Sequence, residues 1–323
     1  MPAVDMPLDE LRNYRGTNPK PNDFDAYWDE ALDELDGLTG EFDLAPADFS
    51  VPFAECLHMS FTGVEGARIH AKLVRPRAPA AEPGSPHPAV ILFHGYSGDS
   101  GPWQATLAYA AMGFTVAAMD CRGQGGLSQD PGGVLGNTLH GHIIRGLVEG
   151  PRKLLYRRIF LDTALLARIV MSMEDVDETR VGAAGPSQGG GLTLACAALE
   201  PRIRRAAPLY PFLCDYRRVW DLDLGQYAYQ ELKQHFRRFD PTHARAEEIF
   251  TTLGYIDVQH LVSRIRAEVL MGTGLMDEIC PASTQFAAYN KIESPKEMVV
   301  YPDYGHERID DFTDRTLRFL AAL

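Results

Sequence analysis

A short apolar run, Val181-Gly182-Ala183-Ala184, ends in Gly185-Pro186-Ser187-Gln188-Gly189 and passes straight into Leu192-Thr193-Leu194-Ala195-Cys196-Ala197-Ala198-Leu199. No other stretch limits so tightly what this chain can fold into. An apolar strand that meets a buried helix through Gly-x-Ser-x-Gly requires a sharp turn, and such a turn lifts the serine hydroxyl above the sheet edge. The glycines two residues to either side relieve the crowding and let helix pack on strand. Ser187 is the only serine of the chain with glycine at both of those positions. A plain Gly/Ser loop would share the composition, but not the strand-turn-helix setting. Ser187 is therefore expected to be a nucleophile.

The segments around it repeat one theme. Val90-Ile91-Leu92-Phe93 is a continuous apolar run, as in a strand buried on both faces. A helix over 103–112, a strand over 114–119 and an amphipathic helix over 157–173 follow, the last with Ile159, Phe160, Ala164, Leu165 and Ile169 on one face. Beyond the elbow, 206–210, 268–271 and 298–301 read as strands, and 282–290 and 308–323 as helices. Alternating strands and helices imply a doubly wound, mostly parallel sheet flanked by helices. Ahead of it lies an N-terminal extension. There Asn22-Asp23 precedes a helix built on Ala26, Tyr27, Trp28, Ala31, Leu32 and Leu35, and strands over 53–61 and 69–74 form a hairpin through Thr62-Gly63-Val64-Glu65-Gly66. Residues 76–88 read as a Pro/Ala surface loop, and 123–150 as a long Gly-rich loop. The helical, aromatic region 211–260 interrupts the alternation. It is expected to serve as a lid, a substrate wall or a subunit interface, or simply to pack as extra helices. The whole chain, 1–323, reads as one domain.

Composition excludes several classes of function. With 44 acidic residues against 31 basic ones and a net charge of −13, nucleic acid and anionic membranes are unsuitable partners. The five cysteines, Cys56, Cys121, Cys196, Cys214 and Cys280, lack any C-x-x-C pair and read as reduced thiols. Residues 1–16 carry no apolar signal core, and no apolar run approaches bilayer length, so a cytoplasmic protein is expected. No cluster with metal-ligand spacing and no Gly-rich dinucleotide loop appears, so neither metal nor cofactor is expected.

A serine hydroxyl needs a base to take its proton, and the base needs a carboxylate to hold its tautomer. In an α/β-hydrolase the chain order is serine, acid, histidine, each in a loop after a strand. The strand over 268–271 is followed by Gly272-Thr273-Gly274-Leu275-Met276-Asp277, and the strand over 298–301 by Pro302-Asp303-Tyr304-Gly305-His306. Asp277 is expected to be the acid, with Glu278 and Asp303 as rivals, and His306 the base. The developing oxyanion needs donors: the Gln188 amide after the nucleophile, and the Tyr96 amide in His94-Gly95-Tyr96-Ser97-Gly98 after the early strand.

Taken together, His94-Gly95-Tyr96, Arg122-Gly123-Gln124, Gly185-x-Ser187-Gln188-Gly189-Gly190, Pro211-Phe212-Leu213-Cys214, Gly274-Leu275-Met276-Asp277-x-x-Cys280-Pro281 and Gly305-His306-Glu307 form an ordered set. It resembles the acetyl xylan esterase / cephalosporin C deacetylase family nearly end to end. The resemblance implies an α/β-hydrolase fold and removal of acetyl groups from acetylated sugars and cephalosporin-type esters. It implies Ser187, Asp277 and His306 as triad, Tyr96 and Gln188 as oxyanion donors, and Arg122 and Gln124 as residues that brace the site. It also implies a small acetylated substrate and a homohexamer with sites facing an inner chamber. Other readings are an esterase or lactonase for larger acyl groups, a peptidase, and a silent hydrolase-like binding module.

Overall fold

The computed structural model describes residues 4–77, 86–130 and 140–323. Most of the Pro/Ala loop and the middle of the Gly-rich loop lie outside these residues. Helices α1 (Leu8–Leu11) and α2 (Phe24–Asp36) lead to three strands, β1 (Phe42–Pro46), β2 (Ala54–Thr62) and β3 (Arg68–Pro76). The alternating body follows: β4 (His87–Phe93), α3 (Gln104–Ala111), β5 (Thr115–Met119), α4 (Leu155–Met171), β6 (Val176–Pro186), α5 (Gln188–Leu199) and β7 (Arg205–Leu209). The insertion carries α6 (Tyr216–Asp221), α7 (Gln230–Phe239) and α8 (Ala246–Gly254), and the chain closes with β8 (Glu268–Gly274), α9 (Ala282–Tyr289), β9 (Lys296–Tyr301) and α10 (Asp310–Leu320).

The strands form one nine-stranded sheet in the order β1-β2-β3-β5-β4-β6-β7-β8-β9. From β5 to β9 every neighbouring pair is parallel, while β1, β2 and β3 join antiparallel. The chain thus has the α/β-hydrolase fold, with the predicted hairpin as its antiparallel limb. The unforeseen strand is β1, because Phe42-Asp43-Leu44-Ala45-Pro46 is almost wholly exposed and lacks an alternating pattern.

Alternation across the parallel strands splits the core in two, since successive side chains point to opposite faces. Ala89, Ile91 and Phe93 of β4, Ala117 and Met119 of β5, and Val181 and Ala183 of β6 face the large cluster with α2, α4 and α5. Val90, Val116, Ala184 and Ala207 face the smaller one, closed by Ala110 of α3 and Leu320 of α10. Helix α5 is buried along its whole length, which fixes where the elbow stands.

The N-terminal extension is pinned to the insertion by carboxylates. Asp215 accepts the Tyr14 hydroxyl at 2.7 Å and the Asn18 amide at 2.8 Å, and Asp5 pairs with Arg218 at 2.6 Å. Asp23 stands at the start of α2, but its side chain accepts the Tyr255 hydroxyl rather than a helix amide.

Candidate active site

Strand β6 stops at Pro186, whose fixed φ suits a strand end. Ser187 then turns with φ 56° and ψ −120°. The turn is held from both sides: the Ser187 amide donates to the Leu209 carbonyl at 2.9 Å, and the Ser187 carbonyl accepts the Phe212 amide at 2.9 Å. Space explains the glycines. A Cβ on Gly189 would stand 2.2 Å from the Phe93 carbonyl oxygen, and one on Gly185 would stand 2.5 Å from the same atom. The helix can reach the strand only where side chains are absent.

The hydroxyl raised by this turn lies 2.9 Å from His306 Nε2, and His306 Nδ1 lies 2.9 Å from Asp277 Oδ2. Asp277 is fully buried, and its Oδ1 accepts the amides of Ile279 at 2.9 Å and Cys280 at 2.7 Å. Those bonds fix the orientation of the carboxylate toward His306. The rivals Glu278 and Asp303 are exposed. The His306 ring leans on Tyr210, with centroids 4.6 Å apart. Burial, then the charge of Asp277, pushes the Tyr210 hydroxyl up to about 12, so it stays neutral beside the histidine.

The loop after β4 closes the other side. His94 is structural: its Nδ1 meets the Gly95 carbonyl at 2.7 Å and its Nε2 accepts the Cys121 amide at 3.0 Å. Burial holds its pKa below the usual histidine value, so the ring is neutral. Gln124 Oε1 accepts the Ser97 amide at 2.9 Å, while Gln124 and Gln188 pair their side-chain amides at 2.9 and 3.1 Å. The Tyr156 hydroxyl gives Gln188 Oε1 its second bond, at 2.7 Å. The Gln188 side chain is thus occupied by Gln124 and Tyr156. Arg122 is wholly buried, forks onto Asp162 of α4 and donates to the Val64 carbonyl at 2.8 Å. It ties the turn at Val64 to α4 and, among the described residues, forms no hydrogen bond with Ser187, His306 or Asp277.

Two neighbours escaped the sequence reading. The thiol of Cys280 borders the Ser187 hydroxyl, and burial raises its pKa well above the ordinary thiol value. Glu231, from α7, accepts the Tyr96 hydroxyl 135 residues away in sequence; only the pairing in space reveals it. Asp277, Cys280 and His306 bring one ligand atom each within 4.8 Å of one another. The hydrogen bonds just described already use both Asp277 oxygens and both His306 nitrogens, so the trio fits a proton relay better than a metal centre. An open, mostly apolar cavity of about 350 Å³ lies on the α3/α10 face, floored by Leu92, Ala118, Ala184 and Ala207, and none of the three relay residues lines it. No helix among the described residues is long and apolar enough to cross a membrane.

Chain order separates this arrangement from other serine-based sites: the serine comes first, the acid second and the histidine last, as in α/β-hydrolases. That class is also the one to which the fold belongs; the 2,6-dihydroxy-pseudo-oxynicotine hydrolase superposes with a TM-score of 0.58 over 83% of this chain at 19% identity. The sequence narrows the class. The family described as Acetyl xylan esterase (AXE1) matches residues 1–323, and the chain belongs to this family of carboxylic ester hydrolases. Acetyl xylan esterase 1 from Thermoanaerobacterium sp. JW/SL YS485 is 59% identical, with a TM-score of 0.94 over 98% of this chain and 99% of that one. An acetyl xylan esterase from Paenibacillus sp. R4 is 37% identical, with a TM-score of 0.89 over 98% and 99% of the two chains. The acetyl esterase Axe7A of Xylanibacter ruminicola is 26% identical over 294 residues, 88% of this chain, and the aligned part spans 63% of that longer protein.

Proposed function

We propose that the chain, acting as one domain, is a serine esterase that removes acetyl groups from acetylated sugars, xylo-oligosaccharides among them, and from cephalosporin-type esters. The observation that carries this reading is the unbroken chain Ser187 Oγ–His306 Nε2 and His306 Nδ1–Asp277 Oδ2, both contacts at 2.9 Å. Ser187 attacks the ester carbonyl while His306 takes its proton, and Asp277 stabilises the imidazolium. The amides of Tyr96 and Gln188 meet the tetrahedral oxyanion. His306 then protonates the departing alcohol. A water that gives its proton to His306 attacks the acetyl group on Ser187, acetate leaves, and the proton returns to the serine. Acetylated xylan as the substrate is supported by the acetyl xylan esterases that the chain resembles. The five unpaired, buried thiols support a reducing compartment such as the cytoplasm. Family resemblance supports a homohexamer, which size-exclusion chromatography with light scattering tests.

Ser187→Ala should lower p-nitrophenyl acetate turnover by about six orders of magnitude, to background. Turnover well above background would refute the assignment. A series of acetate, butyrate and longer esters reads acyl preference, and faster turnover of the longer esters would move the function to larger acyl groups.

A further inference from the structure

The insertion between β7 and β8 reaches the site through one side chain. Glu231, in the first turn of α7, is only 4% exposed. Four donors converge on its carboxylate. The Tyr96 hydroxyl and the Gly141 amide, at 3.2 Å, meet Oε1; the amides of Ile143, at 2.7 Å, and Ile144, at 3.1 Å, meet Oε2. The Tyr96 hydroxyl in turn accepts the His142 amide at 3.3 Å. A buried carboxylate is costly unless its lone pairs are filled, and here two loops and a helix meet to fill them. Burial pushes its pKa up, and the bonds from Tyr96 and the three amides oppose that rise.

The loop that carries the Tyr96 amide needs such an anchor. Ser97, the next residue, has a φ of 59°, a conformation that residues with side chains adopt only when their surroundings impose it. Gln124 restrains the loop from the inner side through the Ser97 amide. On the outer side the Tyr96 ring rests against His142, with centroids 4.8 Å apart, and Phe212, at 5.7 Å, and its hydroxyl ends on Glu231. We infer that Glu231 is a positioning residue of the esterase: by fixing the Tyr96 side chain, it aims the Tyr96 amide at the point where the oxyanion forms. The inference rests on the reading of Tyr96 as an oxyanion donor. In this role Glu231 acts through Tyr96, to which it is bonded, and not on the ester itself. The insertion thus braces the oxyanion loop rather than only covering it.

A misaimed donor costs more in the transition state than in the bound ester, because the negative charge exists only there. Glu231→Gln keeps the size but replaces one acceptor with an amino group facing amide donors. Tyr96→Phe keeps ring and backbone and removes only the tether. With p-nitrophenyl acetate, kcat should fall about ten- to hundredfold in Glu231→Gln, by the scale of a misplaced catalytic group. The fall should be smaller in Tyr96→Phe, with KM within about twofold in both. The double variant should be no slower than Glu231→Gln alone, as for two residues of one connection. Titration with a fluorophosphonate normalises each kcat to competent sites, so a poorly folded fraction does not enter. Wild-type kcat per labelled site in Glu231→Gln, a loss confined to KM, or losses that multiply in the double variant would each overturn the role. Should Glu231→Gln fail to fold, an unchanged kcat in Tyr96→Phe overturns it by itself. Normal fluorophosphonate labelling with unaffected variants sinks Glu231 and leaves the esterase standing; failure of the wild type to label sinks both.

Discussion

Asp277 and Asp120 are built into the structure in nearly the same way. Asp277 accepts two backbone amides, from Ile279 and Cys280, and His306 Nδ1 at 2.9 Å. Asp120 accepts two backbone amides, from Ser100 at 2.6 Å and Leu127 at 2.9 Å, and His70 Nδ1 at 2.6 Å. The two pairs part at the far imidazole nitrogen. His306 Nε2 meets Ser187 Oγ, whereas His70 Nε2 meets His58 Nδ1, at 2.9 Å. His70 sits within β3 of the antiparallel limb, while His306 sits in the loop beyond β9. A carboxylate that grips an imidazole fixes its tautomer wherever it occurs; chemistry follows only where the second nitrogen faces an activated group. At Asp120 the same construction ties the loop at residue 100 to the loop at residue 127.

The contrast can be broken most decisively at Asp277. Asp277→Asn should cost about four orders of magnitude in kcat, because the amide favours the wrong tautomer of His306; stopped assays on p-nitrophenyl acetate measure it. The same change at Asp120 should act on stability. The Asp120 carboxylate would be raised by burial, but the hydrogen bonds from His70, Leu127 and Ser100 and the charge of His70 outweigh that and hold it at about 2, against an ordinary 3.8. The folded-state value is the lower one, so the unfolded chain takes the proton first as pH falls. The stabilisation is present above about pH 4 and is lost on the way down to about pH 2. Its size is about 2 kcal/mol, so Asp120→Asn should lose that much in urea unfolding at neutral pH and show a flatter decline in acid. Equal losses of kcat at both aspartates would erase the distinction. The smallest effect belongs to His58→Ala, at the part-exposed end of the second pair: kcat/KM should stay within about twofold. A tenfold fall there would mean that this pair too serves the reaction.

What could be read in advance follows the same division. Ser187, Asp277 and His306 each sit in a short loop directly after an apolar run, so turn chemistry and chain order single them out, and the fold brings them within hydrogen-bonding distance of one another. Arg122 and Gln124 were visible as a motif. Their partners were not, because Asp162 lies 40 residues beyond Arg122 and Gln188 lies 64 beyond Gln124. The pairing of His58, His70 and Asp120 depends on the register of β2 against β3 and of β3 against β5, which no local pattern encodes. Glu231 looks like one more charge on a polar helix until the fold carries it to Tyr96. Strand β6 also begins earlier than its apolar run, at Val176, since Asp177, Glu178 and Thr179 lie at its part-exposed start.

The backbone of Ser187 has a further consequence. A residue with a side chain held at φ 56° and ψ −120° stores on the order of 1–3 kcal/mol, and glycine at that place would release most of it. On the proposed role of Ser187, durability and reactivity compete for a single codon: a lineage that no longer needed to cleave esters would become hardier by giving up this one hydroxyl.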